Sequence, residues 1–131
     1  SDLRRQRQMC IRDSTMTEQR YEQARDSVDF IKRYIFPGGC LPSLTVISDS
    51  LSRVTDMQMS HLRDITRDYA DTLSAWHDGF LGKLDTVRQM GFDDRFIRMW
   101  RYYLSYCEGG FRERIIGTYQ ITMTKPGYRP A

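Results

Sequence analysis

The sequence contains no apolar run near the ~20 residues that a bilayer-spanning helix needs, and its first residues form no continuous apolar segment of the secretory kind. These absences point to a soluble chain of the cytoplasmic type. Its three cysteines, Cys10, Cys40 and Cys107, are an odd number without C-x-x-C spacing. Neither a disulfide framework nor a zinc site is indicated, and reduced thiols are expected. Only two histidines are present, His61 and His77, and no acidic residue stands at a spacing that would recruit both, so no metal site is expected. His61 is expected as a strand residue with a satisfied ring nitrogen, and His77 as a solvated neighbour of Trp76. There is no G-x-S-x-G nucleophile turn and no glycine-rich loop after a strand. Gly38-Gly39 follows a helical stretch and Gly109-Gly110 lies inside one, so no residue is assigned to cofactor binding.

The 131 residues are 40% hydrophobic and 28% charged, which fits one ordinary globular domain rather than a disordered chain. The formal charge of +3 is concentrated at the start, where residues 1 to 14 hold Arg4, Arg5, Arg7 and Arg12 against Asp2 and Asp13. One reading of this arm is a grip on the phosphates of nucleic acid or anionic lipid, in which case the helices form a small binding module. The other is that LRRQRQMCIRDS is similar to the translation of a sequencing-adapter remnant. On the second reading residues 1 to 14 are foreign and disordered, and residues 15 to 131 are the protein proper.

Beyond the arm, hydrophobic periodicity predicts a helix from Gln19 to Ile35, carried by Tyr21, Ala24, Val28, Ile31 and Ile35, and stopped by Phe36-Pro37-Gly38-Gly39. Pro42 opens a second helix with Leu44, Ile47, Leu51 and Val54 on one side. Alternation over Thr55 to Leu62, with Met57, Met59 and His61 on one face, predicts a strand. Tyr69, Leu73, Trp76, Phe80, Leu84 and Val87 form the stripe of one long helix ended by Gly91. Asp93 then caps a helix whose core face is Phe96, Trp100, Tyr103, Cys107 and Phe111, with Cys107 as a packed small hydrophobe. Ile115 to Thr124 closes the set as a second strand. Two strands and four helices are too little sheet for an independent α/β domain, so the chain is expected to be part of something larger.

Several motifs in order carry a resemblance. Tyr34-Ile35-Phe36-Pro37-Gly38-Gly39-Cys40-Leu41-Pro42-Ser43, the run Asp68-Tyr69-Ala70-Asp71-Thr72-Leu73 with Trp76, and Tyr103-Leu104, Cys107, Phe111-Arg112 and Gln120 are similar to three consecutive signatures of one family. That family is the cyclopropane-fatty-acyl-phospholipid synthases with the mycolic acid methyltransferases, and the chain resembles its C-terminal part. The resemblance implies an α/β fold, the Rossmann-like fold of class I S-adenosylmethionine-dependent methyltransferases, here a helix-rich fragment with two strands. It implies transfer of a one-carbon unit from S-adenosylmethionine to a cis double bond of phospholipid acyl chains, at the cytoplasmic membrane surface and without nucleic acid. It also implies a bicarbonate ion as base, for which Tyr69 is the matching catalytic residue. The family's Cys and Glu ligands have no counterpart in the chain, and Cys40 is not that Cys; where its His would precede the first helix stand the arm and Ser14-Thr15-Met16. The fragment alone is expected to be inactive. A sulfonium donor and a cationic acceptor require a dry, aromatic-lined cleft, and Phe36, Gly38, Gly39, Leu41 and Pro42 are the candidate substrate-binding loop.

Overall fold

The run Ile116–Thr124 is rich in β-branched residues and forms the centre of the structure. In the computed structural model, which describes residues 8 to 129, this strand, β3, is paired on both edges. The elements before it are β1 (Gln8–Met16), α1 (Glu18–Arg25), a π-helical turn over Ile31–Ile35, α2 (Leu44–Val54), β2 (Gln58–Asp64), α3 (Thr66–Leu81), α4 (Leu84–Gln89) and α5 (Asp94–Arg112). Both neighbours run antiparallel to β3, in the order β1-β3-β2.

The sheet therefore has three strands among the described residues, not two. The extra one comes from the segment expected to be foreign and disordered: Gln8 pairs with Thr124 and each residue in turn through Met16, opposite Ile116. Residues 8 to 14 are thus placed in a strand, against the expectation of disorder. Strand pairing is made by main-chain amides, which any sequence without proline supplies, so an open edge of β3 can template a run with no apolar period. Residues 1 to 7, with Arg4, Arg5 and Arg7, lie outside the described residues.

Three other expectations are altered. The helix over Gln19–Ile35 is broken after Arg25, where the Asp29 carboxylate accepts the Lys32 N–H at 2.9 Å and starts a separate turn. The long helix of the Tyr69 stripe is interrupted between Leu81 and Leu84. Gly82, a weak helix former, ends α3, and the Lys83 N–H tightens onto the Phe80 carbonyl at 3.1 Å. In β2, Met59 opposes Met123 while His61 opposes Thr122, so Ser60 is an extra residue. This bulge puts Met59 and His61 on opposite faces, and the Ser60 hydroxyl donates to the Thr122 carbonyl at 3.1 Å.

Two helix ends agree with the sequence: Asp93 accepts the Phe96 N–H at 2.8 Å, and Gly91 ends α4 at a φ of +93°. Pro42 does not open α2; it stands before Ser43, which caps the helix by accepting the Val46 N–H at 3.1 Å. The Arg114 φ of 55° was not foreseen: an arginine takes the left-handed position that closes α5, and its guanidinium meets Asp64 at 2.6 Å. Burial alone would raise the Asp64 carboxyl, but hydrogen bonds from Arg114 and Thr66 more than offset it and hold it below the ordinary carboxylate range.

Helix α3 buries Thr66, Ala70 and Leu73, and α5 buries Ile97, Leu104 and Phe111, so each presents one stripe to the other. Ala70, Leu73, Leu104 and Phe111 form the core cluster, with Tyr69, Trp100, Tyr103 and Cys107 packed at its margin. The start of α3 is stitched to β3. The Ile65 N–H donates to the Thr118 carbonyl at 3.0 Å, and the Thr118 N–H donates to the Thr66 hydroxyl oxygen at 3.2 Å.

Two outcomes follow from this architecture. Thr66→Val should cost about 1–3 kcal/mol in denaturant unfolding, because the shape is kept while the buried Thr118 N–H loses its acceptor. A chain beginning at Thr15 should be destabilised by more than about 1 kcal/mol, because most of the β1 ladder is removed from β3. An unchanged unfolding midpoint would show that this edge pairing contributes nothing.

Candidate functional site

Tyr69 stands one turn into α3, so the Thr66–Thr118 stitch fixes its height over the sheet. Its ring is half-buried and meets Phe111 edge-on at 5.0 Å and Trp76 at 6.2 Å. Beneath it the register lines up Arg12, Gln120 and Arg63 across the three strands, since Gln120 is the partner of both arginines. These residues, with Asp68, Tyr69 and Thr72, line an open cleft of about 290 Å³. The Arg12 guanidinium lies 5.7 Å from the centre of the Tyr69 ring. Neither Arg12 nor Arg63 has a carboxylate partner among the described residues.

The loop from Phe36 to Ser43 is built by the turn chemistry of its residues. The Gly39 N–H donates to the Phe36 carbonyl at 2.9 Å across Pro37 and Gly38, and Gly38 has a φ of +76°. This is a type II turn, with proline where φ is fixed and glycine where φ must be positive. A side chain on Gly39 would stand 3.0 Å from the Phe36 carbonyl oxygen, so the second glycine permits a close main-chain approach. The Pro42 carbonyl accepts the Met16 N–H at 3.1 Å, which ties the end of the loop to the end of β1.

Of the loop residues, the structure carries Phe36 toward Tyr69. The Phe36 ring is 56% exposed and meets Tyr103 edge-on at 6.2 Å, and Tyr103 packs at the margin of the same cluster as Tyr69. Burial, with Cys107 and Tyr69 nearby, pushes the Tyr103 phenol above its ordinary value. Gly38 and Gly39 shape the turn, Leu41 and Pro42 are half-buried beyond it, and Cys40 is exposed. Burial, then the charge of Asp29, raises the Cys107 thiol to about 11, in keeping with a packed hydrophobe rather than a nucleophile.

The remaining candidates separate cleanly. His61 is an exposed residue of β2. His77 is not the solvated residue expected: it is half-buried, its Nδ1 lies 3.4 Å from the Ser105 hydroxyl, and its Nε2 is buried without a partner among the described residues. Among the described residues no three His, Cys, Asp or Glu side chains converge as metal ligands, and no helix is long and apolar enough to cross a membrane. Periodicity puts Tyr103 in the core face without a role and gives no signal for Arg63. Only the three-strand register puts Arg63 in line with Gln120 and Arg12.

The described part of the chain superposes on two solved cyclopropane synthases, covering 90% of this chain and 44% of each of theirs. The mycolic acid cyclopropane synthase CmaA1, complexed with SAH and CTAB, matches with a TM-score of 0.78 at 22% identity. MmaA2 from Mycobacterium tuberculosis matches with a TM-score of 0.78 at 20% identity. The fold is that of the S-adenosylmethionine-dependent methyltransferases, as the motifs implied. In sequence the chain is 36% identical over 119 residues to the tuberculostearic acid methyltransferase UfaA1 of Mycobacterium tuberculosis, covering 91% of this chain and 28% of UfaA1. It is 38% identical over 96 residues to the cyclopropane-fatty-acyl-phospholipid synthase of Escherichia coli K12, covering 73% of this chain and 24% of that enzyme. The chain thus spans about a quarter of the length of these curated relatives. The model of the family described as mycolic acid cyclopropane synthetase matches residues 1–121, and with these ordered motifs on this fold the chain belongs to that family.

Proposed function

We propose that the chain is the C-terminal part of an S-adenosylmethionine-dependent methyltransferase that adds a one-carbon unit to a cis double bond of phospholipid acyl chains, with a cyclopropane as the product. The observation that carries this reading is the placement of Tyr69 at a cleft lined by Gln120 and by Arg63, which has no carboxylate partner among the described residues, while Phe36 meets Tyr103 at the margin of the cluster that holds Tyr69. The phenol, amide and guanidinium groups are the donor set that a small oxyanion such as bicarbonate requires, so the residues present fit that group. When bound, S-adenosylmethionine supplies the one-carbon unit and bicarbonate supplies a base for the proton whose loss closes the ring. The work of this chain is to hold and to exclude. The Tyr69 hydroxyl fixes the oxyanion, while Phe36, Tyr103 and Trp76 present ring faces and edges that tolerate a developing positive charge and displace water.

S-adenosylmethionine itself finds no cradle here: among the described residues no glycine-rich turn follows a strand. In this reading the cofactor is held by parts of the longer protein that correspond to the remaining length of the relatives. Arg12 comes from the arm whose sequence is foreign in this reading, so it stands where a native residue of the parent strand would face Tyr69. Nothing on this face favours the alternative of a nucleic-acid module. Arg4, Arg5 and Arg7 lie outside the described residues, and Arg12 is turned onto Tyr69. The longer protein is read as cytoplasmic and held at the membrane surface.

In the full-length parent, Tyr69→Phe should lower turnover by roughly ten- to a thousand-fold, the range for losing one catalytic hydrogen bond, with the melting temperature nearly unchanged. Added bicarbonate should partly restore the rate. Parental turnover by the Phe variant at ordinary bicarbonate would make Tyr69 architectural. The 131-residue chain alone should show no saturable heat on titration with S-adenosylmethionine at micromolar concentration. Binding there would place the cofactor site in this part of the protein.

A further inference from the structure

The turn between α4 and α5 presents an apolar tip. Met90 is 68% exposed and Phe92 is 41% exposed, at the foot of α5. From Phe92 a run of rings continues without interruption along one side of that helix: Phe92 stacks on Phe96 at 4.3 Å, Phe96 on Trp100 at 5.6 Å, and Trp100 meets Tyr103 at 5.1 Å. Tyr103 then touches Phe36 at 6.2 Å. Spacings of four, four and three residues put these rings on one helical stripe, next to rather than on the buried stripe of Ile97, Leu104 and Phe111.

The charges around the tip are one-sided. Between Leu81 and Arg101 there are five basic and three acidic residues, and all three carboxylates are engaged. Arg88 takes Asp94 at 3.2 Å and Asp85 at 3.8 Å, while Asp93 caps α5. Lys83, Arg95, Arg98 and Arg101 are exposed and have no carboxylate partner among the described residues. Exposed Met and Phe on a segment whose remaining cations have no carboxylate partner among the described residues form the pattern of a surface that dips its apolar residues below a layer of anionic head groups.

We propose that the α4–α5 tip, Met90 and Phe92 with Lys83, Arg95 and Arg98 on the flanking segments, is the surface by which the protein docks on an anionic lipid bilayer. The ring run from Phe92 to Tyr103 and Phe36 then offers an acyl chain apolar cover from the bilayer toward the aromatic cluster that holds Tyr69. This rests on the lipid-modifying function proposed above, and it adds where the lipid arrives. The alternative occupants of the tip are a second copy of the chain and the remainder of the parent protein.

The test is partition of the 131-residue chain onto vesicles with saturated acyl chains, of pure phosphatidylcholine or of an equal mixture with phosphatidylglycerol, followed by sedimentation and by Trp100 fluorescence. Saturated chains carry no double bond to react, so docking is measured whether or not the methylation reading holds. Binding should favour the anionic vesicles by roughly tenfold and weaken with salt. Met90→Ser with Phe92→Ser, and separately Arg95→Glu with Arg98→Glu, should each lower it by roughly fivefold or more. Met90→Ser alone guards against a folding defect, since that side chain is largely exposed, and the melting temperature checks it. Equal partition onto neutral vesicles, or variants that bind like the parent chain, would overturn the proposal. So would a dimer in sedimentation velocity that the Met90 and Phe92 substitutions dissolve, because the tip would then belong to a second copy.

Discussion

The buried contact between Thr66 and Thr118 sets the position of everything that matters for chemistry. Thr66 is 1% exposed and Thr118 is 2% exposed, and the hydroxyl of the first takes the main-chain N–H of the second. This joint turns the end of β2 into the start of α3 without leaving a buried donor unpaired. It is possible only because residue 117 is glycine: a Cβ there would come within 2.8 Å of the Tyr119 ring and 3.1 Å of the Thr66 hydroxyl. With the joint in place, Tyr69 falls above the Arg12, Gln120 and Arg63 row, and α3 meets α5 along Ala70, Leu73, Leu104 and Phe111.

From that helix pair the aromatic residues divide into two roles. Phe111 closes the core and gives Tyr69 an edge to lean on, so packing holds the Tyr69 ring. Phe36, Trp100 and Tyr103 make a partly exposed wall, and the type II turn at Pro37-Gly38 brings Phe36 onto it. A wall of this kind costs stability in water and is useful where an apolar substrate covers it. The surface ion pairs, such as Arg112 with Asp71 and Glu108, join the same helices but are exposed and contribute little beside the core.

The chain's share of the relatives, about a quarter of their length, accounts for features that would be faults in a complete domain. The outer edge of β1 pairs with nothing among the described residues, β2 is exposed along its whole length, and the cleft beside Tyr69 is open.

The amino-acid sequence by itself determined the local elements whose signals are short-range. The Asp93 cap, the Gly91 helix end, the Pro37-Gly38 turn and the β-branched β3 were all legible, because each depends on residues within one or two turns of one another, whereas the predicted core face of α5 shares only Phe111 with the stripe the helix buries. The family was legible too, since three motifs stand in order across the chain. Tertiary structure alone decided the rest. The bulge at Ser60 depends on what pairs opposite it, and periodicity carries no record of a partner. The strand over Gln8–Met16 exists because β3 offers an edge, not because its own residues favour pairing. The grouping of Arg63 and Gln120 under Tyr69 required a register between strands more than fifty positions apart, which one sequence does not encode in any local pattern.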